Sequence, residues 1–201
     1  MEGGGLPCGE GGVTEPAASS PMHGLTLKKP LASAQEALVG RIRERAGNLY
    51  LTRQLLCAEA VVVSLNHGLD GGLSEFQAVA VAAPFCAAMG ESGCLCGALG
   101  GAELACGLFL GGDQAYRRRK EIRDTARLLH DAFKAAHGAT CCRVLTRSVR
   151  QEPDVHFRYC AGLTADAADL AARVILSRRP ELAARRSEER RVGKECRSPW
   201  S

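Results

Sequence analysis

The chain has 201 residues, of which 46% are hydrophobic and only 4% aromatic. This length is enough for one domain with a buried core, and the alanine- and leucine-rich composition favours helices. The formal net charge at pH 7 is only +4, part of which lies in the last residues. Charge therefore gives no argument for a nucleic-acid partner.

The two ends of the chain differ in composition from its middle. Residues 1–30 are rich in Gly, Pro and Ser and lack an apolar core segment, so we expect a disordered segment without a secretory signal. Residues 186–201 resemble the translation of a sequencing-adapter read-through, and we expect them to be a non-native tail. Between them, residues 31–180 are expected to form a single helical domain.

Helical periodicity begins after Ala32. Leu38, Ile42 and Leu49 recur at helical spacing, which predicts a first amphipathic helix with a break near Gly47. Residues 52–65 are nearly all apolar after Gln54, and a helix that is apolar on all sides is typical of a buried position.

Two apolar segments follow. Residues 76–89 contain no charge and predict a third helix that Pro84 kinks or divides. Residues 93–112 are apolar and rich in glycine, and they predict the central helix. The first segment is shorter than the roughly 20 residues that a membrane span requires, and the second carries Glu103. We therefore expect buried helices and no membrane span.

The most regular helix is predicted over residues 113–137, with Asp113 as its N-cap and Gly138 at its end. A short helical turn is predicted within residues 139–145. A polar loop then crosses Pro153, and a last helix is expected to begin at Thr164. These elements predict an all-α fold, a compact bundle of about five helices with the glycine-rich helix buried near its centre.

Four glycines lie inside the predicted central helix, at positions 97, 100, 101 and 107. Each costs about 1 kcal/mol relative to alanine in a helix, so the close approach of another helix or of a cofactor is the simplest explanation. We predict a close-packing motif made by Gly97, Ala98 and Gly101. Cys96 is expected in the first turn, where free N–H groups and the helix dipole favour a thiolate.

The chain is also rich in cysteine, with ten in total and nine before the predicted tail. Because no secretory signal is recognised, we expect a cytoplasmic protein whose thiols stay reduced. In that compartment, cysteine clusters serve metal or redox chemistry more often than structural disulfides.

Four of these cysteines carry a resemblance to a known family. A CGAxxG motif runs from Cys96 to Gly101, Cys57 precedes it, and Cys142 and Cys160 follow it. This order resembles the bacterial and archaeal family named C_GCAxxG_C_C for its cysteine pattern, over about residues 45–177. The resemblance implies a redox-active protein whose site uses these four cysteines.

Several cofactors suit four thiolates that come from separate segments. Our leading hypothesis is an iron–sulfur cluster for electron transfer, because related sequence forms part of a cytochrome that carries such a centre. One alternative is thiol–disulfide exchange, with Cys96 as the nucleophile and Cys57 or Cys142 as the resolving thiol. The other is a non-enzymatic zinc-binding structural module, although zinc ligands usually come in closely spaced pairs.

Three further residues are candidates for additional members of the site. Cys94 lies two residues before Cys96, Cys141 is an adjacent rival of Cys142, and Glu103 is a charge on an apolar helix. Two other cysteines, Cys86 and Cys106, are expected to pack as small hydrophobic residues. We also expect a redox partner protein of unknown identity, and helices of small residues that would suit a homodimer.

Overall fold

The computed structural model describes residues 30–184. The described residues form helices α1 (Ser33–Leu51), α2 (Cys57–Leu69), α3 (Glu75–Ala82), α4 (Cys86–Glu91), α5 (Gly97–Gly111), α6 (Ala115–His137), α7 (Cys142–Leu145) and α8 (Pro153–Arg178), with 3-10 turns at Ala83–Phe85 and Gly112–Gln114. Because no strand occurs among them, the predicted all-α class is confirmed. Residues 1–29 of the predicted disordered segment and the predicted tail lie outside the described residues.

Helix α5 lies at the centre of the bundle, because it packs against α2, α6 and α8. Leu99 and Leu110 of α5 are fully buried, as are Leu65 of α2, Phe133 of α6 and Ile175 of α8. Helix α1 covers α8 and α2 on the outside. The predicted bundle with a buried glycine-rich helix is therefore confirmed. In residues 30–184, no helix combines the length and the apolar character needed to cross a membrane.

The predicted boundary between the first two helices is wrong. Helix α1 continues through Gly47 to Leu51. The glycine serves close packing on α8, because a Cβ at this position would lie 3.3 Å from the Cβ of Ala165. Helix α2 begins only at Cys57, where the N–H of Leu56 donates to the Glu59 carboxylate at 2.8 Å.

Two predicted helix starts are also wrong. Helix α6 has Gln114 as its N-cap, and Asp113 lies in the preceding 3-10 turn instead of capping it. Helix α8 begins at Pro153, since proline suits the first helical position, where no N–H partner is needed. Thr164 therefore lies inside α8, where its hydroxyl donates to the carbonyl of Cys160 at 2.8 Å. The end of α6 at Gly138, with φ 78°, is confirmed.

The backbone after Pro84 adopts a conformation that the sequence did not predict. Ala87, Ala88, Met89 and Gly90 have φ between 50° and 66°, and Glu91 follows with φ 66°. This left-handed turn costs roughly 1–2 kcal/mol for each residue other than glycine. The surrounding structure must therefore hold it in place.

A backbone connection joins the start of α5 to α7, which lies far along the chain. Leu95 and Cys141 form an isolated antiparallel bridge. The N–H of Cys96 donates a hydrogen bond to the carbonyl oxygen of Thr140 at 2.7 Å, and the N–H of Cys142 donates one to the carbonyl oxygen of Cys94 at 3.3 Å. This connection fixes Cys142 beside the N-terminus of α5.

Candidate functional site

Cysteine side chains from five elements meet where α5 begins. We call this group the sulfur end, and its members are Cys57, Cys86, Cys96, Cys142 and Cys160. They come from the first residue of α2, the first residue of α4, the N-cap of α5, the first residue of α7 and the interior of α8. All five are free thiols. The four cysteines selected from the sequence are thus brought together, along with one that was not selected.

Gly97 makes room for two of these cysteines. A Cβ at this position would lie 2.5 Å from the Sγ of Cys57, 2.6 Å from the carbonyl oxygen of Phe85 and 3.5 Å from the Cα of Cys86. Contacts below about 3 Å are not tolerated by a real Cβ. The glycine that follows Cys96 is therefore required by the sulfurs and backbone packed on it.

The other motif glycines bring α2 and the turn before α4 close to α5. A Cβ at Gly101 would lie 2.7 Å from the carbonyl oxygen of Ala58, and one at Gly100 would lie 3.1 Å from the ring of Phe85. A Cβ at Gly107 would meet nothing within 4 Å. Close approach thus accounts for three of the four helical glycines, while nothing in the structure explains the fourth.

Cys96 lies at the N-cap of α5 and is 5% exposed. The expectation of a low thiol pKa here is wrong. Burial raises the pKa of Cys96 to about 11, although the N–H groups of Leu99 and Ala98 act in the opposite direction. Desolvation of the thiolate outweighs the helix N-terminus, so Cys96 is not an activated nucleophile in this state.

Cys160 and Cys142 both affect the pKa of Cys96. Burial, followed by the proximity of Cys142, raises the pKa of Cys160 to about 11, while a hydrogen bond from Tyr50 acts against this rise. Burial also raises the pKa of Cys142. The Tyr50 ring is held in place by stacking on Phe157, with 4.8 Å between the centroids.

Cys57 differs from the other sulfurs in the direction of its shift. A hydrogen bond from the Cys86 thiol lowers the pKa of Cys57, and backbone N–H groups of Ala87 and Ala58 contribute in the same direction. The same hydrogen bond, together with burial, raises the pKa of Cys86. Cys57 is also partly exposed, whereas Cys86 is buried.

The additional candidates are spread over different environments. Cys94 is exposed, and Cys141 is half-buried beside Cys142, whose thiol affects the pKa of Cys96 and of Cys160. Glu103 does not reach the sulfur end. Burial raises the pKa of its carboxyl, against the effect of His130, and its sulfur neighbour is Cys106.

A family comparison covers most of this domain. A model described as "Putative redox-active protein (C_GCAxxG_C_C)" matches residues 55–174. The chain belongs to this family. No curated protein and no solved structure gives a match. The resemblance drawn from the CGAxxG motif and its cysteines is confirmed, and the C_GCAxxG_C_C match includes all five members of the sulfur end.

The donor set of this C_GCAxxG_C_C protein is compatible in its chemistry with a metal cofactor, since four thiols come from separate elements. Among residues 30–184, no three His, Cys, Asp or Glu side chains are placed to hold one metal ion.

Sequence reasoning missed three side chains at the sulfur end. Cys86 was assigned to packing because it lies in an apolar segment, and its approach to Cys57 depends on the left-handed turn. Tyr50 donates to Cys160, and Tyr159 is half-buried next to Cys160 and Cys96. No local pattern identifies these tyrosines, because their contacts depend on how α1 and α8 pack.

Proposed function

We propose that this C_GCAxxG_C_C protein transfers electrons through an iron–sulfur cluster held by four cysteines, Cys57, Cys96, Cys142 and Cys160. The observation that carries the proposal is the convergence of four sulfurs, from four helical elements, around the N-terminus of α5. A separate redox partner protein and a cytoplasmic location, where thiols stay reduced, belong to the same proposal.

The electrostatics of the sulfur end support a cationic cofactor. Cys142 and Cys160 each raise the pKa of Cys96, and Cys142 raises the pKa of Cys160, because neighbouring thiolates repel one another. Ligation requires these thiols to lose their protons, so metal binding would relieve this repulsion. When bound, the cluster would supply one-electron redox chemistry.

The chain's own residues would tune such a centre. Cys96 is almost entirely shielded from water, which lowers the local dielectric constant. Tyr50 donates a hydrogen bond to the sulfur of Cys160. Hydrogen bonds to ligating sulfurs and exclusion of solvent are two of the factors that set the potential of a cluster.

The proposal is tested by purifying the full chain anaerobically and measuring iron, acid-labile sulfide, zinc and the visible spectrum. We expect iron and sulfide in near-equal amounts and visible absorption that bleaches on reduction. Cys96→Ser and Cys160→Ser should lose both metal and colour. Cys106→Ala is the matched control, because Cys106 is a buried cysteine of the same helix, remote from the sulfur end.

Two other outcomes would contradict the cluster. A colourless protein with stoichiometric zinc and no redox response would indicate the structural zinc module. A colourless, metal-free protein whose free-thiol count changes with reductant would indicate thiol–disulfide exchange as the main activity.

A further inference from the structure

Cys86 lies at the sulfur end but is not one of the four cysteines assigned to the proposed cluster. The residue is 5% exposed. Its thiol donates a hydrogen bond to the carbonyl oxygen of Ala82 at 3.9 Å, one turn earlier in the chain, and it also lies beside the sulfur of Cys57. A buried cysteine next to a second sulfur can do more than fill space.

The backbone brings these two cysteines together from both sides. The position of a Cβ on Gly97 is 2.5 Å from the Sγ of Cys57 and 3.5 Å from the Cα of Cys86, so both residues occupy the space that this glycine leaves open. The left-handed turn begins directly after Cys86 and directs the N–H of Ala87 to the Cys57 sulfur. The strained turn thus holds the pair in contact.

We propose that Cys57 and Cys86 are a thiol–disulfide exchange pair in the metal-free protein, with a low-molecular-weight disulfide as the oxidant. Cys57 is the attacking thiolate and Cys86 the resolving thiol. This pair differs from the one expected from the sequence, in which Cys96 attacks.

The two roles follow from exposure. Cys57 is partly exposed, whereas Cys86 is buried, so an external disulfide reaches Cys57 first. Exchange begins at the thiol that has access to the oxidant, and of the two only Cys57 meets this condition.

The reaction balances in two exchange steps. The thiolate of Cys57 attacks the external disulfide, forms a mixed disulfide and releases one external thiolate. The sulfur of Cys86 then attacks the Cys57 sulfur, forms the Cys57–Cys86 disulfide and releases the second external thiolate, which takes the Cys86 proton. Two cysteine sulfurs are oxidised while one external disulfide is reduced to two thiols.

This chemistry competes with the proposed cluster, because the Cys57 sulfur cannot be both a ligand and part of a disulfide. Only this competition rests on the proposed function. The disulfide itself would form in the chain without metal, and it is tested in that state.

The test treats the full chain, stripped of metal and reduced, with oxidised glutathione under anaerobic conditions, followed by alkylation and peptide mapping. Cleavage after Lys and Arg leaves five cysteines in residues 54–117, so cleavage after Glu is added. The two cuts place Cys57 in residues 54–59, Cys86 in 76–91, and Cys94 with Cys96 in 92–103.

We expect a cross-link between peptides 54–59 and 76–91. In Cys86→Ala, we expect this cross-link to be lost and Cys57 to remain as a mixed disulfide with glutathione. Cys94→Ser is the matched control and should keep the cross-link. Alkylated Cys86 in the oxidised wild type, or a cross-link from Cys57 to 92–103, would overturn the proposal. Iron and sulfide analysis tests the cluster in a separate measurement, so one proposal can fail while the other holds.

Discussion

The two ends of α5 have opposite surroundings. At the N-terminal end, the N-cap residue Cys96 makes no side-chain capping hydrogen bond, and the N–H groups of Leu99 and Ala98 only partly offset the burial that raises its thiol pKa. At the C-terminal end, the carbonyl oxygen of Leu110 accepts hydrogen bonds from Arg118 at 3.4 Å and from Arg179 at 3.5 Å. One end of the helix therefore holds a buried thiol, and the other is capped by guanidinium groups.

Charge is distributed just as unevenly. Arg179 is paired with Glu121 through two contacts of 3.1 Å, so the C-terminal end carries its own counter-charge. At the sulfur end, burial and then neighbouring thiols raise the pKa of Cys96 and of Cys160. The comparison shows that a single helix can separate an end built for stability from an end suited to chemistry. The following changes test that separation.

The largest effect is expected from Gly97→Ala. The new methyl group would collide with the Cys57 sulfur and with the carbonyl oxygen of Phe85, and overpacking of this kind costs about 1–3 kcal/mol or more. Urea unfolding should show this loss, and peptide mapping should show that Cys57 and Cys86 no longer cross-link. Gly107→Ala is the matched control in the same helix. It should stabilise the protein by about 0.5–1 kcal/mol, because a Cβ there meets nothing. Equal effects of the two substitutions would contradict the role of Gly97.

A smaller effect is expected from Arg179→Met at the other end. This change removes a half-buried ion pair and a hydrogen bond to Leu110, and it should lower the free energy of unfolding by about 1–3 kcal/mol. The Cys57–Cys86 cross-link should be unchanged. Lys120→Met is the control, because its ion pair with Asp124 is exposed and should contribute less than about 1 kcal/mol. A lost cross-link in Arg179→Met would show that the two ends are coupled.

The smallest effect on the free energy of unfolding is expected from Cys106→Ala, and it is seen only at alkaline pH. Burial, and then Glu103, raises the pKa of Cys106 to about 12 from an ordinary value of 9.0. Above pH 9.0 the unfolded chain loses this proton while the folded chain keeps it, so the wild type loses stability as pH rises. At pH 10 this loss amounts to about 1.4 kcal/mol. Cys106→Ala should remove that part of the slope in urea unfolding between pH 8 and pH 10.5. An unchanged slope would contradict the raised pKa.

Much of the helix pattern and the order of the cysteines could be predicted, because both are local. Apolar periodicity predicted the bundle, and the run from Cys96 to Gly101 located the start of α5. The boundaries at Gly47 and Pro153 were predicted wrongly, since a glycine can serve packing as well as a break, and a proline can start a helix as well as interrupt a loop.

The chemistry of individual sulfurs was harder to predict. The N-terminus of α5 suggested an activated Cys96, but the depth of its burial is a property of the whole bundle. Cys86 reaches Cys57 only through a run of positive φ angles, and residues such as Ala87 and Met89 give no sign of that conformation. The nucleophile and its partner therefore had to be read from three-dimensional contacts.

The backbone bridge between Leu95 and Cys141 also bears on how the protein is made. During synthesis, Cys57 and Cys96 leave the ribosome well before Cys142 and Cys160. A site that needs all four sulfurs cannot exist until α7 has docked and the first third of α8, which holds Cys160, has been translated. Any cofactor held by the four would have to be inserted after translation of this domain, and the early cysteines must survive as free thiols until then.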